Sequence, residues 1–432
     1  MDRRVFLKQT AVAAVGAAAL GGSAPQARAG PSAVSPARGR VVRTGVEMLA
    51  ADGYRLVQGQ KVGVITNPTG VLPDLRHEVD VMHASRDVEL VVVFGPEHGF
   101  RGSAQAGGSE GSYRDPRTGL PVYDTYGKGP RELAETFGKS GVDTVLFDIQ
   151  DVGARFYTYI WTMYDAMAGA ALAGKRFVVL DRPNPLGVEE AAGPVLHEEY
   201  ATFVGRKPIS QAHAMTVAEL ARLFNGEFLP IEDGGRVDLA AVRMTGWRRR
   251  MPYTETGLPW VLPSPNMPTV DTATVYPGTC MFEGTNLSEG RGTALPFELI
   301  GAPYVDHRWS DALNRAGLPG AWFREAYFQP TFSKWQGEAC GGVQLHVTDR
   351  ERFDAVGTGI AMLASVARLH PDKFSWRRDE GEEHPYWIDK LTGSDRVRTA
   401  IDAGKDADEV IAGWQDELRR FRAVRERYLL YH

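Results

Sequence analysis

Residues 88–102 read V-E-L-V-V-V-F-G-P-E-H-G-F-R-G, and this stretch constrains the fold more than any other. A nearly unbroken apolar, β-branched run ended by Gly95 and Pro96 predicts a short strand buried on both faces of a sheet. Such a strand needs helices on either side, which points to a parallel sheet. Directly past its end stand Glu97, His98 and Arg101. In an open parallel sheet ligands bind beyond the carboxyl ends of the strands, so an acid, a base and a cation emerge where chemistry is done.

Three more runs repeat the arrangement. Residues 61–66 (K-V-G-V-I-T) lead into Asn67 and Pro68, and residues 144–149 (T-V-L-F-D-I) carry Asp148 and lead to Asp151. Residues 177–180 (F-V-V-L) lead into Asp181, Arg182, Pro183 and Asn184. One polar strand end is ordinarily a turn or a helix cap; four at one edge predict a site. Helices are expected over 45–51, 131–140, 157–172 and 216–225, the last with Thr216 and Glu219 in capping-box spacing. Strands and helices alternating from 44 to 244 predict an α/β domain with a Rossmann-like parallel sheet. No G-x-G-x-x-G follows the first strand and no Walker-type loop is present, so no nucleotide cofactor is expected. Residues 103–129, rich in Gly, Ser, Asp and Tyr, are expected to form a lid or substrate wall.

A basic W-R-R-R at 247–250 and a proline-rich run to 268 mark a domain boundary near 250. Residues 43–250 are thus expected to be the Rossmann-like catalytic domain and 251–432 a smaller α+β C-terminal domain, with the active-site cleft between them. Within the second, the glycine-rich stretch 276–293 carries Glu283, Asn286, Glu289 and Arg291, which are expected to face the first domain's sheet edge. A strand is expected at 341–347 and helices at 352–370 and 407–428.

The chain begins with Arg3-Arg4, a short alanine-rich apolar run and Ala27-Arg28-Ala29. This reads as a twin-arginine signal over 1–29 followed by a flexible leader over 30–42, implying export to the periplasm or beyond. The apolar run is too short to span a bilayer, so no stable membrane insertion is expected. Losing residues 1–29 removes four cations and one anion, which moves the formal charge from −5 to −8 and argues against nucleic acid as a partner. Cys280 and Cys340 show no metal-type C-x-x-C spacing, and both free thiols and a disulfide are compatible with them.

The motifs G-P-E-H-G-F-R-G (95–102), F-D-I-Q-D-V-G-A-R-F-Y-T-Y (147–159), D-R-P-N-P (181–185), P-S-P-N-M-P-T (263–269) and F-E-G-T-N-L-S-E-G-R-G-T (282–293) occur in that order. On these the chain resembles the exo-β-N-acetylmuramidase family, the NamZ-type glycoside hydrolases once known as a domain of unknown function. The resemblance covers essentially all of the chain after the signal. It departs at 211–216 (Q-A-H-A-M-T), where a more basic, glycine-containing stretch is expected, although His213 keeps its position. It implies an enzyme that removes N-acetylmuramic acid from the non-reducing end of peptidoglycan fragments, disaccharides or longer glycans, with no cofactor.

Glycoside hydrolysis needs a proton donor and a second group that attacks, activates water, or holds a substrate group that attacks. Glu97 is the expected donor. For the second role Asp148, Asp151, Glu283 and Glu289 are open, with Glu283 slightly ahead of Asp151, and the substrate's own acetamido oxygen is a further option. A muramic sugar adds a lactyl carboxylate, for which Arg101, Arg155 and Arg291 are candidates. Arg155 comes first, because Phe156 and Tyr157 follow it as a possible wall. Tyr157, Tyr159 and Trp161 offer aromatic faces, and His98, Asn184, His213 and Asn286 hydrogen bonds. No H-E-x-x-H or close His cluster suggests a metal. Two other functions fit the outline: a periplasmic solute-binding protein, which would repeat the βαβ pattern in its second lobe, and a metal-dependent amidase, which would need convergent ligands.

Overall fold

The structure, a computed structural model, describes residues 42–105, 107–232 and 234–431. The expected signal and all but the last residue of the leader lie outside the described residues. In chain order the strands are β1 (Lys61–Thr66), β2 (Glu89–Gly95), β3 (Tyr113–Arg114), β4 (Pro121–Asp124), β5 (Thr144–Asp148), β6 (Arg176–Leu180), β7 (Ala192–Val195), β8 (Ser210–Ala212), β9 (Asp238–Val242), β10 (Leu299–Ala302), β11 (Ala321–Phe328) and β12 (Cys340–Val347). The helices used below are α1 (Gly45–Ala51), α2 (Glu78–Ala84), α3 (Pro130–Ser140), α4 (Tyr159–Leu172), α5 (Val217–Leu223), α6 (Val270–Thr279), α7 (Arg308–Ala316) and α8 (Ala355–Leu369).

The central strands are apolar on both faces because both are covered. Val62, Val64, Val93, Leu146, Val178 and Leu180 point to one side, against Val46 and Leu49 of α1 and Val79 and Met82 of α2. Ile65, Phe94, Val145, Phe147, Phe177 and Val179 point to the other, against α3, α4 and α5. The period of two along each strand feeds two cores at once, which is why these runs show no polar alternation.

The large sheet runs β3-β4-β2-β1-β5-β6-β9, with every neighbouring pair parallel except β3 with β4. From β1 the chain moves outward through β2 and β4, then returns to β5 on the other side of β1 and moves outward again. The reversal makes a crevice at the carboxyl ends of β1, β2 and β5. Register aligns these ends, with Thr66 opposite Asp148 and Gly95 opposite Asp124. The stretch 103–129 is only partly the expected loop: it supplies β3 and β4, which extend the sheet by two strands.

The second sheet is three-stranded and antiparallel, in order β10-β12-β11. The core between the large sheet and α4 and α5 continues through α6 and α8 to Ile300 and Val343 of this small sheet. Helices α6 and α8 touch backbone to backbone: a Cβ on Gly278 would lie 1.9 Å from the Ala355 carbonyl oxygen, and one on Gly359 2.5 Å from that of Gly278. Near the C-terminus, the single helix expected over 407–428 breaks at Gly413 and Trp414 into Ala407–Ala412 and Gln415–Glu426. Cys280 and Cys340 are both free and buried. No helix among the described residues is long and apolar enough to cross a membrane.

Candidate active site

Glu97 leaves β2 on a turn in which His98 takes φ 68° and Gly99 φ 84°. A non-glycine residue in the left-handed region is strained, and such strain gathers at functional sites. The turn is over-determined by Glu110, which accepts from the backbone N–H groups of Arg101 and Ser103 and from the hydroxyls of Ser103 and Tyr113. The His98 ring is held by its Nδ1, 3.1 Å from the Ala104 carbonyl. The Glu97 carboxyl itself is half-buried. One oxygen accepts from the Thr158 hydroxyl at 3.0 Å, just before α4, and the other from the Gly107 N–H at 2.9 Å. Tyr126, Tyr157 and Tyr159 surround it, and each phenol is raised above its ordinary value by burial first and by the Glu97 charge among the further causes.

The proline-rich segment is drawn over this edge. Both the Tyr159 hydroxyl (2.7 Å) and the Asn67 side-chain amide (3.2 Å) donate to the Pro263 carbonyl. Ser264 thereby comes beside Tyr157.

At the end of β5, Asp151 is almost wholly buried. Its Oδ2 accepts from the Gly153 N–H at 2.6 Å and lies 3.3 Å from His213 Nε2. His213 Nδ1 accepts from the Met215 N–H, so the ring proton belongs on Nε2, facing Asp151. Ala214, between them, is another left-handed non-glycine residue, at φ 50°. The other Asp151 oxygen and His213 Nε2 are buried without a hydrogen-bond partner among the described residues, and the Tyr157 hydroxyl, with Ser264 as a donor beside its oxygen, has no acceptor for its own proton. Buried polar atoms are nearly always satisfied, so unpaired ones beside a catalytic candidate mark a place for a polar ligand.

On the far side Glu283 and Glu289 flank Arg291. Arg291 Nη2 donates to Glu283 Oε1 at 2.6 Å, its Nε lies 3.3 Å from Glu289 Oε1, and its guanidinium covers the Phe297 ring. Lys334 pins Glu289 at 2.9 Å and also donates to the Phe282 and Leu287 carbonyls. Burial would raise Glu289, but Lys334 and Arg291 hold it below the ordinary carboxylate range. Tyr276 of α6 joins the two sides, edge-on to Tyr157 at 5.7 Å and to Phe297 at 4.7 Å. Glu97, His98, Asp151, Tyr157, His213, Glu283, Glu289 and Arg291 thus form one connected group.

Five expected site residues do not join it as ligand-facing groups. Arg155 is fully buried and donates to the backbone carbonyls of Pro194, Ile209 and Leu391, and burial lowers its guanidinium to about 9. Arg101 is spanned by Asp80 and Asp115. Asp148 is buried in an ion pair with Arg182, and beside it burial first and the Asp148 charge second push the Glu78 carboxyl well above the ordinary carboxylate range. Asn184 bonds the Met215 carbonyl and the Leu186 N–H, and Asn286 bonds Lys373, Tyr304 and Ser375. Each serves the scaffold that aims the others. Sequence reasoning missed Tyr126, Thr158, Ser264 and Lys334. Only Thr158 and Ser264 had a signal, since both lie inside motifs already singled out.

Residues 62–271 match the family model described as exo-beta-N-acetylmuramidase NamZ, N-terminal, and residues 274–431 its C-terminal counterpart. The chain belongs to the NamZ family. Like that family it is an enzyme, a glycoside hydrolase. It is 48% identical over 391 residues to the peptidoglycan beta-N-acetylmuramidase NamZ of Bacillus subtilis strain 168, covering 90% of this chain and 91% of that protein. Two crystal structures of DUF1343 family proteins from Bacteroides fragilis NCTC 9343 share the fold. One has a TM-score of 0.81 at 34% identity, covering 91% of this chain and 99% of the other. The second has a TM-score of 0.72 at 29% identity, covering 90% and 99%.

Proposed function

We propose that this NamZ-family enzyme is an exo-acting β-N-acetylmuramidase that releases N-acetylmuramic acid from the non-reducing end of peptidoglycan fragments, with Glu97 as general acid. The observation that carries the assignment is the setting of Glu97 at the sheet's switch point. It is half-buried, both oxygens are fixed by Thr158 and Gly107, and its charge acts on the phenols of Tyr126, Tyr157 and Tyr159. A carboxyl that is oriented and only partly buried is placed to serve as a proton donor to a leaving oxygen. Glu97→Gln keeps the shape and loses the proton. It should fold normally and lose about 10²–10⁴-fold in kcat on a natural disaccharide. The loss should be much smaller on a nitrophenyl glycoside, whose leaving group needs little protonation. Near-normal turnover of the disaccharide by this variant would remove Glu97 from the role.

The antiparallel second sheet does not repeat the βαβ pattern that a solute-binding protein's second lobe would show. Among the described residues no group of three or more His, Cys, Asp or Glu side chains is placed to hold a metal, which leaves the amidase alternative without a ligand set. Export by the twin-arginine route is part of the proposal, resting on Arg3 and Arg4. Replacing both by lysine should hold the uncleaved protein in the cytoplasm, and normal export of that variant would point to another route.

A further inference from the structure

We propose that the nucleophile is the substrate's own acetamido oxygen, with Asp151 receiving the acetamido N–H and the Tyr157 hydroxyl donating to the acetamido oxygen; this rests on Glu97 being the acid. Without that oxygen, a protein carboxylate would be needed. A protein nucleophile or base must be an ionised, reachable carboxylate facing the anomeric carbon about 5–5.5 or 6.5–9.5 Å from the acid. Glu283 is committed to Arg291, Glu289 to Lys334 and Arg291, and Asp148 to Arg182. A carboxylate bound to a cation is a weakened nucleophile. Asp124, at the end of β4, is turned into its own loop by the Ser109 hydroxyl and the Tyr126 N–H.

Asp151 differs from all of these. It has no Lys or Arg partner; one oxygen accepts from the Gly153 N–H with His213 Nε2 3.3 Å away, while the other is bare. It is too enclosed to activate a stream of water, yet it has one vacant acceptor position. The buried Tyr157 hydroxyl has Ser264 as a donor to its oxygen but no acceptor for its own proton, and both Asp151 and Glu97 act on it electrostatically. One vacant acceptor beside one vacant donor is the complement of a secondary amide, which has one N–H and one C=O to satisfy.

The steps balance without any further reagent. The acetamido oxygen forms a bond to the anomeric carbon as the glycosidic bond breaks, and the leaving oxygen keeps that electron pair and takes the Glu97 proton. The resulting oxazolinium ring carries an acidified N–H, whose charge Asp151 stabilises with His213 behind it. Water then attacks the anomeric carbon and gives a proton to Glu97, the ring C–O bond returns its electrons to the acetamido oxygen, and the configuration is retained.

The test uses the unmodified enzyme and nitrophenyl glycosides of muramic acid bearing acetyl, fluoroacetyl, difluoroacetyl and trifluoroacetyl groups on nitrogen. Each added fluorine weakens the acetamido oxygen, so kcat/KM should fall stepwise along the series, and NMR should show the β-anomer as first product. A flat series or a first-formed α-anomer would overturn the proposal. Glu97→Gln on the disaccharide separates the two claims. A flat series together with loss of disaccharide turnover in that variant leaves the acid in place and removes the acetamido nucleophile. Where the series does fall, Asp151→Asn should lower kcat on the acetyl substrate far more than it changes KM, and an unchanged kcat would remove Asp151 from its role.

Discussion

Arg155 and Arg291 show how a residue's sequence neighbours can mislead. Both follow small residues in glycine-containing motifs beside aromatic rings, and nothing in the chain tells whether a guanidinium will find carboxylates in a cleft or carbonyls in the interior. Arg155 found three carbonyls. Leaving a buried carbonyl unpaired costs about 1–3 kcal/mol, so Arg155→Ala should destabilise the protein by at least about 3 kcal/mol, seen as a lower Tm, with no specific change in substrate preference. Arg291 has the opposite setting. It keeps a partly exposed side chain, and its Nη1 makes no hydrogen bond to the described residues. Glu283 and Glu289 flank it much as Asp80 and Asp115 flank Arg101, but Arg291 stands against Phe297 and so next to Tyr276 and Tyr157, and for that place we propose it for a lactyl carboxylate. Arg291→Lys keeps the charge but loses the planar fork, and should lower kcat/KM on muramic glycosides on the order of 10²-fold relative to matched glucosamine glycosides. An unchanged ratio would assign the lactyl group to backbone amides instead.

At the level of elements, legibility followed burial. Strands β1, β2, β5 and β6 stood out in the sequence because both faces are apolar, and α5 because the Thr216–Glu219 box closes as expected. Strand β11 was missed because A-W-F-R-E-A-Y-F buries only Phe323 and Ala326 deeply and exposes Trp322 and Tyr327. Strands β3 and β4 are two and four residues long at a sheet edge, too short to signal their period inside a glycine-rich stretch. The contact between α6 and α8 was also invisible, since it depends on two glycines 81 positions apart meeting in space. That contact sets where Tyr276 stands between the two sides of the site. Gly278→Ala would drive a methyl into the Ala355 carbonyl, and overpacking of this kind costs about 1–3 kcal/mol. The helices should part, Tyr276 should shift, and activity should fall at temperatures where the variant is still folded by circular dichroism. Full activity would mean that Tyr276 tolerates displacement.

On the scale of the molecule, the division into a sheet domain and a smaller partner, which the sequence suggested, is crossed by bonds that it could not reveal. Tyr431 donates to Asp181 at the end of β6 (2.6 Å) and accepts from the Met244 N–H, while burial pushes the Asp181 carboxyl up to about 7. Arg425 donates to the Glu189 and Ala214 carbonyls, Arg222 to those of Tyr428 and Leu429, and Arg155 to that of Leu391. The same apolar core runs from Phe147 under the large sheet to Val343 in the small one. Two halves joined by buried hydrogen bonds and a shared core have no separate folded states to populate. Thermal unfolding of residues 42–432 should therefore give one calorimetric transition whose calorimetric and van't Hoff enthalpies agree. Ending the chain at residue 427 should lower the stability of the whole molecule, sheet included, because it strips Tyr431 from a buried carboxyl and from the Trp247 ring it packs against at 5.1 Å. Two resolved transitions, or a fragment ending at 271 that folds alone with a sharp melt, would show that the core is divisible. The active site would then sit across a hinge rather than within one body.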